Sequence, residues 1–283
     1  MICGMKNLLK YIFGAFALAV VSSCVKAPVE PGLSEGEGWL VLDYGASVGL
    51  QVETKATLEY ANENNLLNFY LFVFDSQGKK IYGKWFDSSM LKASDDAVTS
   101  ANEDCWSKTQ GIKKTDSSGT VTEKTQTHGR IKIKTKNGEN YTIYALSNVN
   151  ADMVRISSEY LSSSVDKISD IQDLVITLSQ DVVSRNGYFP MCGKLRPVNV
   201  SGGTMSTSGK LVFTRLDAKI SFDFQIGTAP EDKQQVESFK IEKWRVVNVP
   251  RKTYLASYAD RGETNALGNI AQAAGQSSGD FFS

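Results

Sequence analysis

Trp39 marks a change in the pattern of the chain, from irregular to alternating. WLVLDYG and then SVGLQVE set Val48, Leu50 and Val52 on one side of an extended chain, the two-residue period of a half-buried strand, so the folded body is expected to begin there. LLNFYLFVFDSQGKKIYGKWF predicts an apolar strand over Leu66 to Phe74, a polar turn at Asp75-Ser76-Gln77-Gly78, and a returning strand through Ile81, Tyr82 and Trp85. Asp87 to Thr127 is long and polar, and predicts an exposed insertion between strands. RIKIKTKNGENYTIYALSN predicts a second hairpin with its turn at Asn137-Gly138. In it Ile131 and Ile133 alternate with Arg130, Lys132 and Lys134, a charged stripe that suits the solvent face of an edge strand.

The period changes at Val165. Val165, Ile168, Ile171, Val175 and Leu178 recur at steps of three and four around Asp166, Lys167, Asp170 and Asp173, which predicts one amphipathic helix on a sheet. YFPMCGKL and GKLVFTRLDAKISFDFQI return to strands, separated by NVSGGTMSTSG, a run of small residues that suits a domain boundary. A last strand is expected over Phe239 to Val247, FKIEKWRVV. The chain after Gly209 is short for a self-sufficient β-domain, so residues 209–283 are expected to start a C-terminal β-domain that further chain or a partner completes. The fold class is therefore mainly β, a β-sandwich with one or two short surface helices, and residues 39–208 form its N-terminal domain.

Composition alters this picture mainly at the start. Lys6 and Lys10 precede the uncharged apolar run Tyr11 to Val21, which has the layout of a secretory signal and is too short to span a bilayer core of about 30 Å. Val21-Ser22-Ser23-Cys24 resembles the bacterial lipobox, which makes residues 1–23 the signal peptide and Cys24 the acylated first residue of the mature chain. Val25 follows rather than the aspartate of inner-membrane retention, so the expected address is the outer membrane, held through lipid on Cys24. Residues 24–38, with two prolines and three glycines, read as a tether. The 31 basic and 31 acidic residues balance, and removal of Lys6 and Lys10 leaves a slight acidic excess, which offers nothing to nucleic acid. Of the 4 cysteines, Cys105 and Cys192 remain for the folded body, a candidate disulfide in an oxidising compartment.

Chemistry-bearing constellations are scarce. His128 is the single histidine, which excludes a site built from several histidines. Cys105 and Cys192 lack CxxC spacing, and SGGTMSTSG carries neither phosphate-loop nor dinucleotide pattern. The pairs Asp95-Asp96 and Glu103-Asp104 fall in the polar insertion, where solvated charge accounts for them. No cofactor and no enzymatic activity are expected. Exposed aromatics such as Trp85 or Trp106 would stack on a sugar in the alternative reading, a surface lipoprotein that binds carbohydrate or a host ligand.

The lipobox, VETKA, LLNFYLFVFDSQGK, YTIYALSNVN, YFPMCGK and RLDAKISFDF occur in an order that resembles the fimbrillin, or type V pilin, subunits of Bacteroidia, over Trp39 to Ile226. The tail from Trp244, WRVVNVPRKTYLASY, looks more like Bacteroidetes surface lipoproteins related to those pilins. The resemblance implies transthyretin-like β-sandwiches without catalysis, built into a fimbrium as shaft, tip or anchor and contributing to adhesion. It also implies outer-membrane delivery as a lipoprotein, removal of an N-terminal strand by a trypsin-like protease, and partnership with other fimbrial subunits by strand exchange. By that resemblance the processing site is Lys55-Ala56, where Lys55 is the only basic residue between Lys26 and Lys79.

Overall fold

The computed structural model describes residues 31–47, 65–111, 113–115, 117–118, 121–124, 127–149, 156–177, 188–201, 204–207, 209–216, 249–250, 252–256 and 281–282. Their elements run β1 (Glu37–Ser47), β2 (Phe69–Phe74), β3 (Lys80–Phe86), a 3-10 turn (Ser88–Met90), β4 (Leu91–Lys92), α1 (Asp95–Ser100), β5 (Cys105–Ser107), β6 (Lys113–Thr115), β7 (Val121–Lys124), β8 (His128–Lys136) and β9 (Gly138–Ser147). There follow α2 (Ser158–Ser164), α3 (Ile168–Gln172), β10 (Val175–Thr177), β11 (Met191–Ser201), β12 (Thr204–Thr207), β13 (Leu211–Arg215), β14 (Val249–Pro250), β15 (Lys252–Tyr254) and β16 (Phe281–Phe282). The fold is mainly β. A 10-stranded sheet has the order β3-β2-β9-β11-β13-β1-β8-β5-β4, with β12 beside β11.

This sheet curls over a single inner core. Alternate residues of β1 (Leu40, Leu42, Tyr44, Ala46), β2 (Phe69, Leu71, Val73) and β9 (Tyr141, Ile143, Ala145) meet Ile131, Ile133, Trp106, Met191 and Phe213 inside it. Asp104 ties the β3 end of the curl to β8. Its carboxylate accepts from Tyr82 Oη at 3.0 Å, Lys84 Nζ at 2.8 Å and the Lys134 amide at 2.7 Å. The Glu103-Asp104 pair therefore splits: Glu103 faces Lys92 near solvent, whereas Asp104 is a partly buried clamp. Burial, with the Asp104 charge added, pushes the Tyr82 phenol far above its ordinary range and keeps it a donor.

The continuous apolar run FYLFVF of β2 has a direct cause. Its even face, Tyr70, Phe72 and Phe74, joins Tyr144 and Leu146 of β9 under a second layer built by Leu161, Val165, Ile171, Leu174, Ile176 and Leu255. A strand buried on both faces has no position left for polar alternation. The β2–β3 hairpin forms as the sequence predicts. Its turn closes because Asp75 Oδ1 accepts the amides of Gln77 and Lys79, both at 2.9 Å, and Gly78 adopts φ +80.

Three expectations about the elements described so far need correction. Asn137-Gly138 is not a hairpin turn, since β8 pairs with β1 and β5 whereas β9 pairs with β2 and β11. The chain there steps between the two sides of the curl. The Tyr141 hydroxyl donates to Lys136 O at 3.1 Å and occupies the space that a Cβ on residue 138 would need. The Asp87–Thr127 segment is not a detached insertion: it supplies α1 and β5, and Cys105, Trp106 and Ser107 are buried. Val165 to Leu178 is not one helix. Val165 is extended, Asp170 accepts the amides of Asp166 and Lys167 to start α3, and β10 follows against β15. Beyond the small-residue loop, β13 is hydrogen-bonded between β11 and β1. The strand expected over Phe239 to Val247 lies outside the described residues.

Candidate assembly site around β1

β1 occupies the middle of the sheet, antiparallel to β8 over Glu37 to Gly45 and parallel to β13 over Tyr44 to Ser47. The sequence put alternation at Val48, Leu50 and Val52, which lie outside the described residues. The strand that the structure describes starts earlier, at Glu37, inside the expected tether. Leu40, Leu42, Tyr44 and Ala46 point inward with no exposed surface. Burying Leu40 and Leu42 is worth about 2 kcal/mol each, a gross gain set against the entropy of ordering the strand.

Tyr44 fills a slot. Opposite it in β8 stands Gly129, where a Cβ would come within 2.9 Å of the tyrosine ring and within 2.2 Å of Ser107 O. The bare backbone lets the ring cross β8 and donate from Oη to Ser107 O at 2.8 Å, while Phe213 stands edge-on at 5.8 Å. Burial and the nearby Asp95 carboxylate push the Tyr44 phenol well above its usual range, so it remains a neutral donor.

The outer face of β1 meets a row of cations. Arg130 Nε donates to Asp43 Oδ1 at 2.8 Å, Lys132 Nζ sits 4.7 Å from the Trp39 ring centroid, and Lys134 Nζ lies 3.7 Å from Glu37. These three basic residues are therefore not the outer stripe of an edge strand. β8 is interior to the sheet, and α1 lies over it: Arg130 Nη1 donates to Thr99 Oγ1 at 2.8 Å and Lys132 Nζ to Thr99 O at 2.7 Å. An ammonium at the last carbonyls of a helix is favourably placed.

The N-terminal side of β2 is held separately. Asn148, at φ +57, accepts the Leu67 amide on Oδ1 and donates from Nδ2 to Asn65 O and Phe189 O. The chain re-entering the sheet at Asn65 is thus pinned to β9 and to the start of β11, independently of β1.

Cys24, Lys55 and Ala56 lie outside the described residues. Cys105 and Cys192 are both thiols. Cys105 sits on β5 and Cys192 on β11, with β8, β1 and β13 between them, and burial pushes the Cys105 thiol up. Trp106 is 1% exposed and donates to Asp87 O, so neither of its faces is open to a sugar. Trp85 packs against the second apolar layer. His128 is exposed at the start of β8. Gly129, Ser107 and Phe213 were missed at the sequence level; the available signal was a glycine inside a strand run, HGRIKIK.

A family model described as major fimbrial subunit protein (FimA) matches residues 40–236, more than half of the chain. The chain belongs to this fimbrial subunit family. No curated protein sequence matches it. Among solved structures, a fimbrial assembly protein from Parabacteroides distasonis is similar at 17% identity and TM-score 0.42, covering 77% of this chain and 64% of that one. A fimbrilin from Porphyromonas gingivalis is similar at 13% identity and TM-score 0.40, covering 77% of this chain and 51% of that one. The fimbrial anchor protein of Porphyromonas gingivalis is similar at 12% identity and TM-score 0.27, covering 62% and 49%. The chain thus spans about half to two thirds of the length of these structures.

Proposed function

We propose that the chain is a structural, non-enzymatic subunit of a cell-surface fimbria, delivered as a lipoprotein on Cys24 and joined to neighbouring subunits by exchange of the strand in the β1 groove. Membership of the fimbrial subunit family supports the role. The observation that carries the mechanism is the place of β1: a mid-sheet strand, directly ahead of the segment that contains Lys55-Ala56, held by side chains and ladders from β8 and β13. Cleavage at Lys55-Ala56 would separate β1 and its lipid from the rest of the chain, while Asn148 keeps Asn65 and Leu67 in place. An empty groove would leave two unpaired strand edges and an open core, so another extended segment must fill it. That segment would come from a neighbouring subunit and would follow the Leu40, Leu42, Tyr44, Ala46 alternation.

N-terminal sequencing of protein sheared from the cell surface tests this. Ala56 as the first residue of filament material supports processing and exchange. Acylated Cys24 at the start of all filament-associated chains would falsify the exchange step and assign the chain to membrane anchoring.

A further inference from the structure

The groove contacts β1 with different chemistry on its two faces, and each contact is specific to a residue type. On the outer face Asp43 is the carboxylate that Arg130 holds at 2.8 Å, and the β8 wall presents Arg130, Lys132 and Lys134 in succession. On the inner face one residue later, the slot floored by Gly129 and ended by Ser107 O takes a ring with a terminal hydroxyl. A leucine in that slot has no donor for Ser107 O and leaves the space over Gly129 unfilled. A lysine at position 43 would stand against Arg130 in a row that is already cationic.

We infer that the β1 groove selects its occupant by a two-residue signature, a carboxylate followed directly by a tyrosine, read by Arg130 outside and by the Gly129–Ser107–Phe213 slot inside. The occupant is an extended strand of a neighbouring subunit, so the inference rests on the strand-exchange reading. The signature also fixes register. Successive side chains of a strand alternate faces, so a slip of one residue would put the tyrosine among the cations and the carboxylate in the core. Trp39, four residues ahead of Asp43 on the same outer face, adds a ring for Lys132.

The test uses the full chain nicked by trypsin at Lys55 and a fluorescent peptide with the sequence of residues 36–47, GEGWLVLDYGAS. The peptide is expected to replace the nicked strand. A peptide with Tyr44→Leu should bind about 30-fold more weakly, from the lost hydroxyl bond and the unfilled slot. One with Asp43→Lys should bind about 10-fold more weakly, and Arg130→Glu in the nicked protein should restore it to within about threefold of the original pair. Equal binding of the three peptides, or no restoration by Arg130→Glu, overturns the signature while leaving exchange intact. Failure of the unsubstituted peptide to enter a folded, nicked chain overturns strand exchange itself, and the signature with it.

Discussion

Two helical covers lie on the outer surface of the sheet, and they are attached in opposite ways. Over β2 and β9, the segment carrying α2 and α3 buries Leu161, Val165, Ile171 and Leu174 against Tyr70, Phe72, Phe74, Tyr144 and Leu146, a contact made of apolar area. Over β5 and β8, α1 buries one apolar residue, Val98, and is otherwise held by Lys132 at its last carbonyls, by Arg130 on Thr99, and by the Ser107 hydroxyl on Asp95. The apolar cover is indifferent to β1. The polar cover is not, because Arg130 and Lys132 also hold Asp43 and Trp39 of that strand. Whatever occupies the groove therefore determines how well the cations beneath α1 are partnered. Under the exchange proposal, filling the groove and ordering α1 are expected to be coupled, whereas α2 and α3 are expected to stay docked throughout.

The sharpest way to break this comparison is to damage the apolar cover. Phe72→Ala removes a ring with no exposed surface, stacked on Tyr70 at 4.4 Å, and should cost about 4 kcal/mol in chemical denaturation. A cost below about 1 kcal/mol would mean that the second layer is not a packed core. Next comes Lys132→Met, which leaves the Thr99 carbonyl without its ammonium and should cost about 2 kcal/mol. Paired with Trp39→Leu in a double-mutant cycle, it should show coupling of about 1 kcal/mol; additivity within error would detach α1 from β1.

The partly exposed Arg130–Asp43 pair sets the lower end of the scale. Asp43→Asn should cost less than about 1 kcal/mol, and raising the salt to about 1 M should reduce that difference further. Hydrogen exchange should show the same contrast, with salt raising exchange in α1 but not in α2 or α3. The smallest effect is expected at Cys105. Its raised pKa lowers the thiolate fraction near neutral pH, so iodoacetamide should leave Cys105 unmodified in the folded protein and react after unfolding.

The strands were legible where one rule acts alone. The β2–β3 hairpin could be read from its apolar run and its polar turn over Asp75 to Gly78, because local chemistry closes it. Asn137-Gly138 misled because the same dipeptide can end a hairpin or carry the chain between layers, and only long-range pairing separates the two. The steps from Val165 to Val175 reported burial correctly for Val165 and Ile171, yet an extended residue, one short helix and a strand place residues on one face as well as a single helix does. Arg130, Lys132 and Lys134 looked solvated because alternation shows which side a residue takes, not what lies above that side. The candidate assembly site was half legible. The apolar alternation of β1 was visible in WLVLDYG, but the slot for Tyr44 draws on Gly129, Ser107 and Phe213, which sequence distance hides.

Departure of β1 from its groove is the central claim, and a covalent lock tests it most directly. Glu37→Cys with Lys136→Cys joins β1 to β8 at a register pair outside the Asp43–Tyr44 signature. The account predicts that the oxidised double variant reaches the cell surface and folds but forms no filaments, and that reduction restores assembly. Filaments that incorporate the variant with the disulfide intact would show that β1 stays in place, contradicting the account.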